Sequence, residues 1–189
     1  LPIWMKDEQV EPMKRAGREL FDGLKRNHPD LDLHLDDREQ YKPGWKFAEW
    51  EQKGVPVRIE LGPRDLEKGQ VVLARRDNGE KVSVSTDEAG RRLVEILDAM
   101  QVDLLVRARA FREAHTHRVE DYATFKAKLD EQGGFYLAHW DGTAETEAKV
   151  KEETKATIRC IPLDAPEEPG ACMVTGLPSG RRVIWARNY

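Results

Sequence analysis

Between Pro43 and Asp65 the chain is punctuated so closely that few arrangements are open to it. Pro43 suits the first turn of a helix, where its missing N–H costs nothing. Gly54 stands where a glycine in the left-handed region ends a helix. Val55-Pro56-Val57-Arg58-Ile59-Glu60-Leu61 then alternates apolar residues with others, the pattern of a half-buried strand. Pro63-Arg64-Asp65 follows with the chemistry of a turn. Helix, tight stop, strand and charged loop are therefore expected in that order.

The side chains on this stretch are unusual. Trp45, Phe47 and Trp50 crowd the short helix together with Lys46, Glu49, Glu51 and Lys53. Aromatic faces beside carboxylates and guanidiniums suit an unpaired nucleobase, which is stacked on its face and hydrogen-bonded at its edge. Guanine suits this set, because its N1–H and N2–H₂ donate to a carboxylate and its O6 and N7 accept from arginine. Composition alone also allows a plainer arrangement, with the aromatics in the core and the charges solvated.

At 189 residues, the chain has room for one large domain or two small ones, each with its own core. Charged residues make up 35% of it and mean hydropathy is −0.71, so no apolar run is long enough to cross a membrane. The first residues lack a basic segment followed by an apolar stretch, so no secretory leader is read there. Two cysteines, Cys160 and Cys172, make no disulfide framework, and a reducing cytoplasm is expected. The net charge of −4 argues against a polybasic nucleic-acid binder. It is compatible with a local site that reads a few base edges, and with weak nonspecific RNA binding.

Elsewhere the apolar periodicity gives the other elements. Asp7 is placed to cap a helix from about Glu8 to Lys25, whose stripe is Val10, Met13, Gly17, Leu20, Phe21 and Leu24. Leu31, Leu33 and Leu35 alternate with Asp32, His34 and Asp36 as in a strand. Gln70–Arg76 and Lys81–Ser85 form a hairpin about Asp77-Asn78-Gly79-Glu80, since Asn-Gly tolerates positive φ. A long helix begins near Asp87, with Leu93, Ile96, Leu97, Met100, Leu104, Leu105, Ala108 and Phe111 on one stripe and an interruption at Gln101-Val102-Asp103 allowed. His115 and His117 have no ligand constellation beside them and read as helix-end residues. A helix at Val119–Leu129, ended by Gly133-Gly134, a strand at Phe135–Trp140, a helix at Thr143–Glu153 and a strand at Ala156–Pro162 follow. Cys172-Met173-Val174 is expected to pair with Arg182–Ala186. This order gives an α/β fold with a mixed sheet in residues 1–112 and a small α+β domain in residues 113–189. The boundary is soft, anywhere between Asp87 and Val119.

Asp36-Asp37-Arg38, Pro43-Gly44-Trp45-Lys46-Phe47, Trp50-Glu51, Lys53-Gly54-Val55-Pro56, Arg58-Ile59-Glu60-Leu61-Gly62-Pro63-Arg64-Asp65 and Gly69-Gln70 closely resemble prolyl-tRNA synthetases. The match is to the anticodon-binding domain of the archaeal and eukaryotic type, which also occurs in some bacteria, and it continues to Trp185-Ala186-Arg187-Asn188-Tyr189. The resemblance implies that this is the tRNA-recognition part of a class II proline–tRNA ligase, whose catalytic domain, ATP and Mg lie outside this chain. It further implies binding of proline tRNA at an anticodon whose second and third bases are guanine. Phe47, Glu51, Arg58, Arg64 and Asp65 occupy the family's base-contacting positions. Phe47 would stack a base, Glu51 or Asp65 would accept from guanine, and Arg58 and Arg64 would donate to O6/N7 or to the backbone. Glu60 is equally placed as an ion-pair partner of Arg58. The family also implies a homodimer built mainly through the catalytic domain. Leu1-Pro2-Ile3 would be the tail of a strand beginning upstream, and Tyr189 the natural C-terminus.

Many relatives in this family hold a structural zinc on four cysteines in the C-terminal domain. The corresponding positions here are Asp141, Thr146, Cys172 and Thr175, so no metal is expected and a hydrogen-bonded replacement among Asp141, Thr146 and Thr175 is. Cys160 reads as a small buried apolar residue. No catalytic residues are identified: there is no phosphate-cradling glycine loop and no nucleophile with a histidine partner. The chain is expected to bind and position RNA, with no role on DNA or at a membrane. Two alternatives are a free-standing RNA-binding accessory or regulatory protein built on the same module, and a protein-interaction domain. The retained aromatic, carboxylate and arginine set speaks against the latter.

Overall fold

The computed structural model describes residues 1–188. Its contacts divide the chain into two compact units, residues 1–104 and residues from 105 onward, so the boundary falls inside a helix. That is eight residues before the expected boundary at 112, and within the 87–119 window.

The first unit opens with a single parallel bridge, Pro2 to Leu61, in which Ile3 N–H donates to the Leu61 carbonyl at 2.8 Å. A 3-10 turn at Asp7–Gln9 leads into α1 (Val10–Asn27). Asp7 does not cap it. Gln9 stands at its N-cap position without a side-chain cap bond; its side-chain oxygen closes the 3-10 turn instead, accepting from the backbone N–H of Met5 at 3.0 Å and of Lys6 at 3.2 Å. α2 (Pro43–Gln52) has Pro43 in its first turn and stops before Gly54 at φ +86°. β1 (Val57–Glu60) is followed directly by α3 (Pro63–Glu67), a short helix where a turn was expected. Proline in the first turn nucleates it, and Asp65 Oδ2 accepts from Gly62 N–H at 3.0 Å. β2 (Gln70–Arg75) and β3 (Lys81–Ser85) form the expected hairpin, with Gly79 at φ +75°. The sheet order is β1-β2-β3, antiparallel throughout. Its core joins Val57, Leu61, Val71, Leu73 and Val84 to Met13 of α1 and to Leu93, Ile96 and Met100 of α4 (Ala89–Ala114).

The remaining readings around this unit fare unevenly. Leu31, Leu33 and Leu35 alternate with exposed residues as a strand would, yet they join no ladder among the described residues, because no neighbouring strand presents its backbone to them. α4 runs on without interruption at Gln101-Val102-Asp103. Its apolar stripe is buried only as far as Met100: Leu104, Leu105 and Phe111 are exposed.

In the second unit β4 (Thr116–Arg118), which the sequence did not suggest, runs parallel to β5 (Phe135–His139). α5 (Tyr122–Gln132) begins later than expected, capped by Asp121, whose side chain accepts from Thr124 N–H at 2.9 Å. α6 (Ala144–Thr154) is capped by Thr143. β6 (Ala156–Cys160) and β9 (Arg182–Arg187) complete a sheet of order β4-β5-β9-β6. Cys172-Met173-Val174 is not a strand: β7 (Gly170–Ala171) pairs with β8 (Pro178–Ser179), and β9 inserts between β5 and β6. The core is Phe125, Leu129, Tyr136, Val150, Val183 and Trp185, with Trp140, Ile158 and Val174 packed against it. Cys160 is exposed, contrary to expectation, because it ends its strand beyond that core; Cys172 is buried. His115 does sit at a helix end, its Nδ1 2.7 Å from the Phe111 carbonyl. The reading of Tyr189 lies outside the described residues.

One buried carboxylate fixes α2. Asp36 is 2% exposed and accepts from Arg38 Nε at 2.9 Å, Arg38 Nη2 at 2.7 Å and Trp50 Nε1 at 2.8 Å, with Lys46 Nζ at 3.7 Å. Burial would raise its pKa, but the hydrogen bonds from Arg38 and Trp50, aided by the Lys46 charge, hold it well below the usual carboxylate range. Removing one partner of such a set leaves buried charge uncompensated. Asp36→Ala is therefore expected to cost about 3–5 kcal/mol, read by urea unfolding of the chain. A loss under about 1 kcal/mol would show that α2 is held by its apolar contacts alone.

Candidate functional site

α2 presents its side chains in pairs one turn apart. Lys46 and Trp50 point inward to Asp36. That roll leaves Phe47 and Glu51 facing β1, and Trp45 and Glu49 on the opposite flank beside Arg38. Gly44 and Ala48 form the outward ridge between the two flanks, both exposed.

On the β1 flank the guanidinium of Arg58 lies over the Phe47 ring, 3.9 Å from its centroid. Arg58 Nη1 donates to Glu51 Oε1 at 2.6 Å, and its Nε donates to Glu60 Oε1 at 3.0 Å. The Arg58 side chain is 12% exposed and that of Glu51 49%. Lys81, absent from the sequence-based set, completes the cluster. Its Nζ bonds both Glu60 oxygens, at 2.9 and 3.0 Å, and lies 5.9 Å from the Phe47 centroid. Strand register explains its presence: Arg58 is opposite Ala74, and Ala74 is opposite Lys81, so the two cations share one cross-strand row with a small residue between them. That row followed from the Asn78-Gly79 turn, which fixes the hairpin register.

The structure thus brings Phe47, Glu51 and Arg58 together and makes Glu60 the ion-pair partner of Arg58. It does not join Arg64 or Asp65 to them by any described contact. Both sit on α3, which follows the same strand; Asp65 caps that helix, while Arg64 is exposed with no side-chain partner among the described residues. Chemically, the cluster offers a flat cation–aromatic stack with one face of Phe47 already covered. Beside it is a half-exposed carboxylate whose second oxygen, Glu51 Oε2, has no described partner. Such a surface can stack a base on the stack's open side and accept from that base's N–H donors. A groove of about 680 Å³ lies beside β1 and α1 and shares Arg58 with this cluster. Its lining includes Leu20, Leu31, Leu33, Val57 and Leu93 but neither Phe47 nor Glu51, and it offers mainly aliphatic walls.

In the second unit, the positions compared above with metal ligands form a hydrogen-bonded knot. Asp141 Oδ2 accepts from Thr146 Oγ1 and from Thr175 Oγ1, both at 2.8 Å, as expected. Asp141 Oδ1 accepts from Thr143 Oγ1 at 2.9 Å and from Thr143 N–H at 3.1 Å. Two neutral hydroxyls, one carboxylate and one thiol are a poor match to the thiolate and imidazole donors that structural zinc takes. Among the described residues, no group of three or more His, Cys, Asp or Glu is gathered as a metal would need. Among the described residues, no helix is long and apolar enough to cross a membrane.

Comparison with known proteins places both units. Residues 3–96 match the family model described as anticodon binding domain, and residues 122–189 match that described as prolyl-tRNA synthetase, C-terminal. Over 189 residues the chain is 49% identical to a proline–tRNA ligase of Cytophaga hutchinsonii and 48% identical to one of Flavobacterium johnsoniae. A proline–tRNA ligase of Rubrobacter xylanophilus is 48% identical over 192 residues. Each alignment takes in all of this chain and 38% of the relative's length.

The Asp141 knot sets a pH dependence. Partial burial would raise this carboxyl, but the hydrogen bonds from Thr146, Thr175 and Thr143 outweigh it and lower the pKa from 3.8 to about 2. A lowered folded-state pKa contributes stability above the unfolded value, and that contribution is lost as pH falls through the folded one. The acid destabilisation of the chain between about pH 4 and about pH 2 is expected to be smaller in Asp141→Asn than in the parent, measured by thermal unfolding across that range. Equal acid sensitivity in the two would contradict the assignment.

Proposed function

We propose that this chain, which combines an anticodon-binding domain with the C-terminal domain of prolyl-tRNA synthetases, is the tRNA-recognition part of a proline–tRNA ligase. The observation that carries this reading is the Phe47–Arg58–Glu51 cluster on a domain of the anticodon-binding family. A stacking surface and a free carboxylate oxygen stand side by side there, at the scale of one base. The proposed ligand is the anticodon of proline tRNA, with guanine at its second and third positions. The stacked Phe47–Arg58 pair takes the face of one guanine, and Glu51 accepts from its N1–H and N2–H₂. Arg58 acts mainly as the clamp that orients Glu51, since Glu51 and Glu60 already engage its donors. Arg64 and Asp65, on α3, would meet the neighbouring guanine or its backbone.

The whole enzyme is read as being of the archaeal and eukaryotic type, which some bacteria also carry. It would act in the cytoplasm as a homodimer, with ATP and Mg used by a class II catalytic domain outside this chain. Here the residues hold and orient the tRNA; no step of the aminoacylation is assigned to them. The Asp141 knot is read as the metal-free counterpart of a zinc site, tying the start of α6 to the 172–177 turn.

Two variants test the base-reading claim. Glu51→Ala is expected to lower discrimination between the proline anticodon stem-loop and its single-guanine replacements by about 1–3 kcal/mol for one of the two guanines. Arg64→Ala is expected to weaken binding with either loop. Equal weakening by Glu51→Ala for every anticodon would mean that Glu51 only holds the fold.

A further inference from the structure

The second flank of α2 carries aromatic surface that this reading leaves unused. Trp45 is 48% exposed, the one tryptophan among the described residues with a large open surface. Its ring stacks on Tyr41 with centroids 3.8 Å apart and planes 10° from parallel. Arg38 lies against the same pair, 4.9 Å from the Tyr41 centroid and 5.6 Å from that of Trp45. Arg38 is itself held by buried Asp36 and by Glu49 of α2, so the stack is built on a fixed base. Its ring contacts with described residues are to Tyr41 and Arg38, and much of the indole faces solvent. An apolar ring of this size left half in water keeps surface that a flat ligand can bury. A rigid, flat stack of two rings beside a guanidinium is the surface on which unpaired bases stack, whatever their sequence.

Position on the helix gives the platform its meaning. Trp45 and Phe47 stand on opposite flanks of α2, separated across its outer side by Gly44 and Ala48, both exposed and small. A helix is roughly 10–12 Å across with its side chains. A single strand whose base is seated at Phe47 can therefore cross this low ridge and bring a nearby nucleotide to Trp45.

We propose that the Tyr41–Trp45 stack is a second base-stacking site, which takes an unpaired nucleobase of the anticodon loop other than the one held at Phe47. This rests on the reading of the chain as an anticodon binder and adds a sequence-tolerant contact beside the guanine-reading one. Trp45 contributes affinity here, and Glu51 contributes discrimination.

The test is the affinity of the 189-residue chain for the proline anticodon stem-loop at fixed salt, with abasic substitutions introduced at each loop position in turn. Trp45→Ala is expected to weaken binding about tenfold or more, the scale of one base–aromatic stack. Trp45→Phe is expected to recover most of that loss. One abasic position, outside the two guanines, is expected to make Trp45→Ala silent, and the guanine discrimination of the parent is expected to survive in Trp45→Ala. Loop-dependent fluorescence quenching that is present in the parent and lost in Trp45→Phe is the second readout, independent of any loss of fold. Guanine discrimination intact with Trp45→Ala binding as the parent does would overturn this site alone. So would a Trp45→Ala loss of the same size on every abasic loop. Absence of guanine discrimination in the parent would overturn the anticodon reading and this site with it.

Discussion

The geometry of the candidate site depends on a carboxylate that is not part of it. Asp36 is sealed beneath α2, and its bonds to Trp50 and Arg38, with Lys46 close by, set the roll of that helix about its axis. Because side chains one turn apart share a face, fixing Lys46 and Trp50 inward also fixes the other pairs. Phe47 and Glu51 meet β1, Trp45 and Glu49 meet Arg38, and Gly44 and Ala48 face outward. A rotation of one residue step would exchange these roles. A buried ionic set adds little net stability over a well-packed apolar one, and here its consequence is the orientation of a helix.

Arg58 is the second constraint, set on the first. It is nearly buried, stacked on Phe47 and bound to Glu51 and Glu60, while Lys81 neutralises the other side of Glu60. Two cations and two anions leave this patch close to neutral. That is compatible with the proposed reading of bases by a chain of net charge −4. In the function proposed above the contact is local and directed at a base, and it does not need the broad positive field on which phosphate-tracking proteins rely.

Much of this was legible in the sequence because it is punctuated. Pro43, Gly54 and Asn78-Gly79 fix where α2 ends and how β2 meets β3, so the order around the site follows from local chemistry alone. What failed needed a partner that periodicity does not name. Leu31–Leu35 has the alternation of a strand without a ladder, and Leu104, Leu105 and Phe111 continue the stripe of α4 yet stay exposed. Cys172–Val174 was read as a strand, although the sheet was completed by β9 between β5 and β6. Among the site residues, Phe47, Glu51 and Arg58 were named from the resemblance and lie in contact. Lys81 was missed because its place is a matter of cross-strand register, two strands away from Arg58.

Binding across a range of salt concentrations tests the central claim most directly, that this surface reads bases and not charge. The cognate proline stem-loop and a loop with one guanine replaced are titrated against the chain in parallel. Base-edge reading predicts two nearly parallel lines of log affinity against log salt, with shallow slopes and a constant offset in favour of the cognate loop. Lines that coincide, falling steeply together, would mean that the surface holds phosphates alone and would contradict the account.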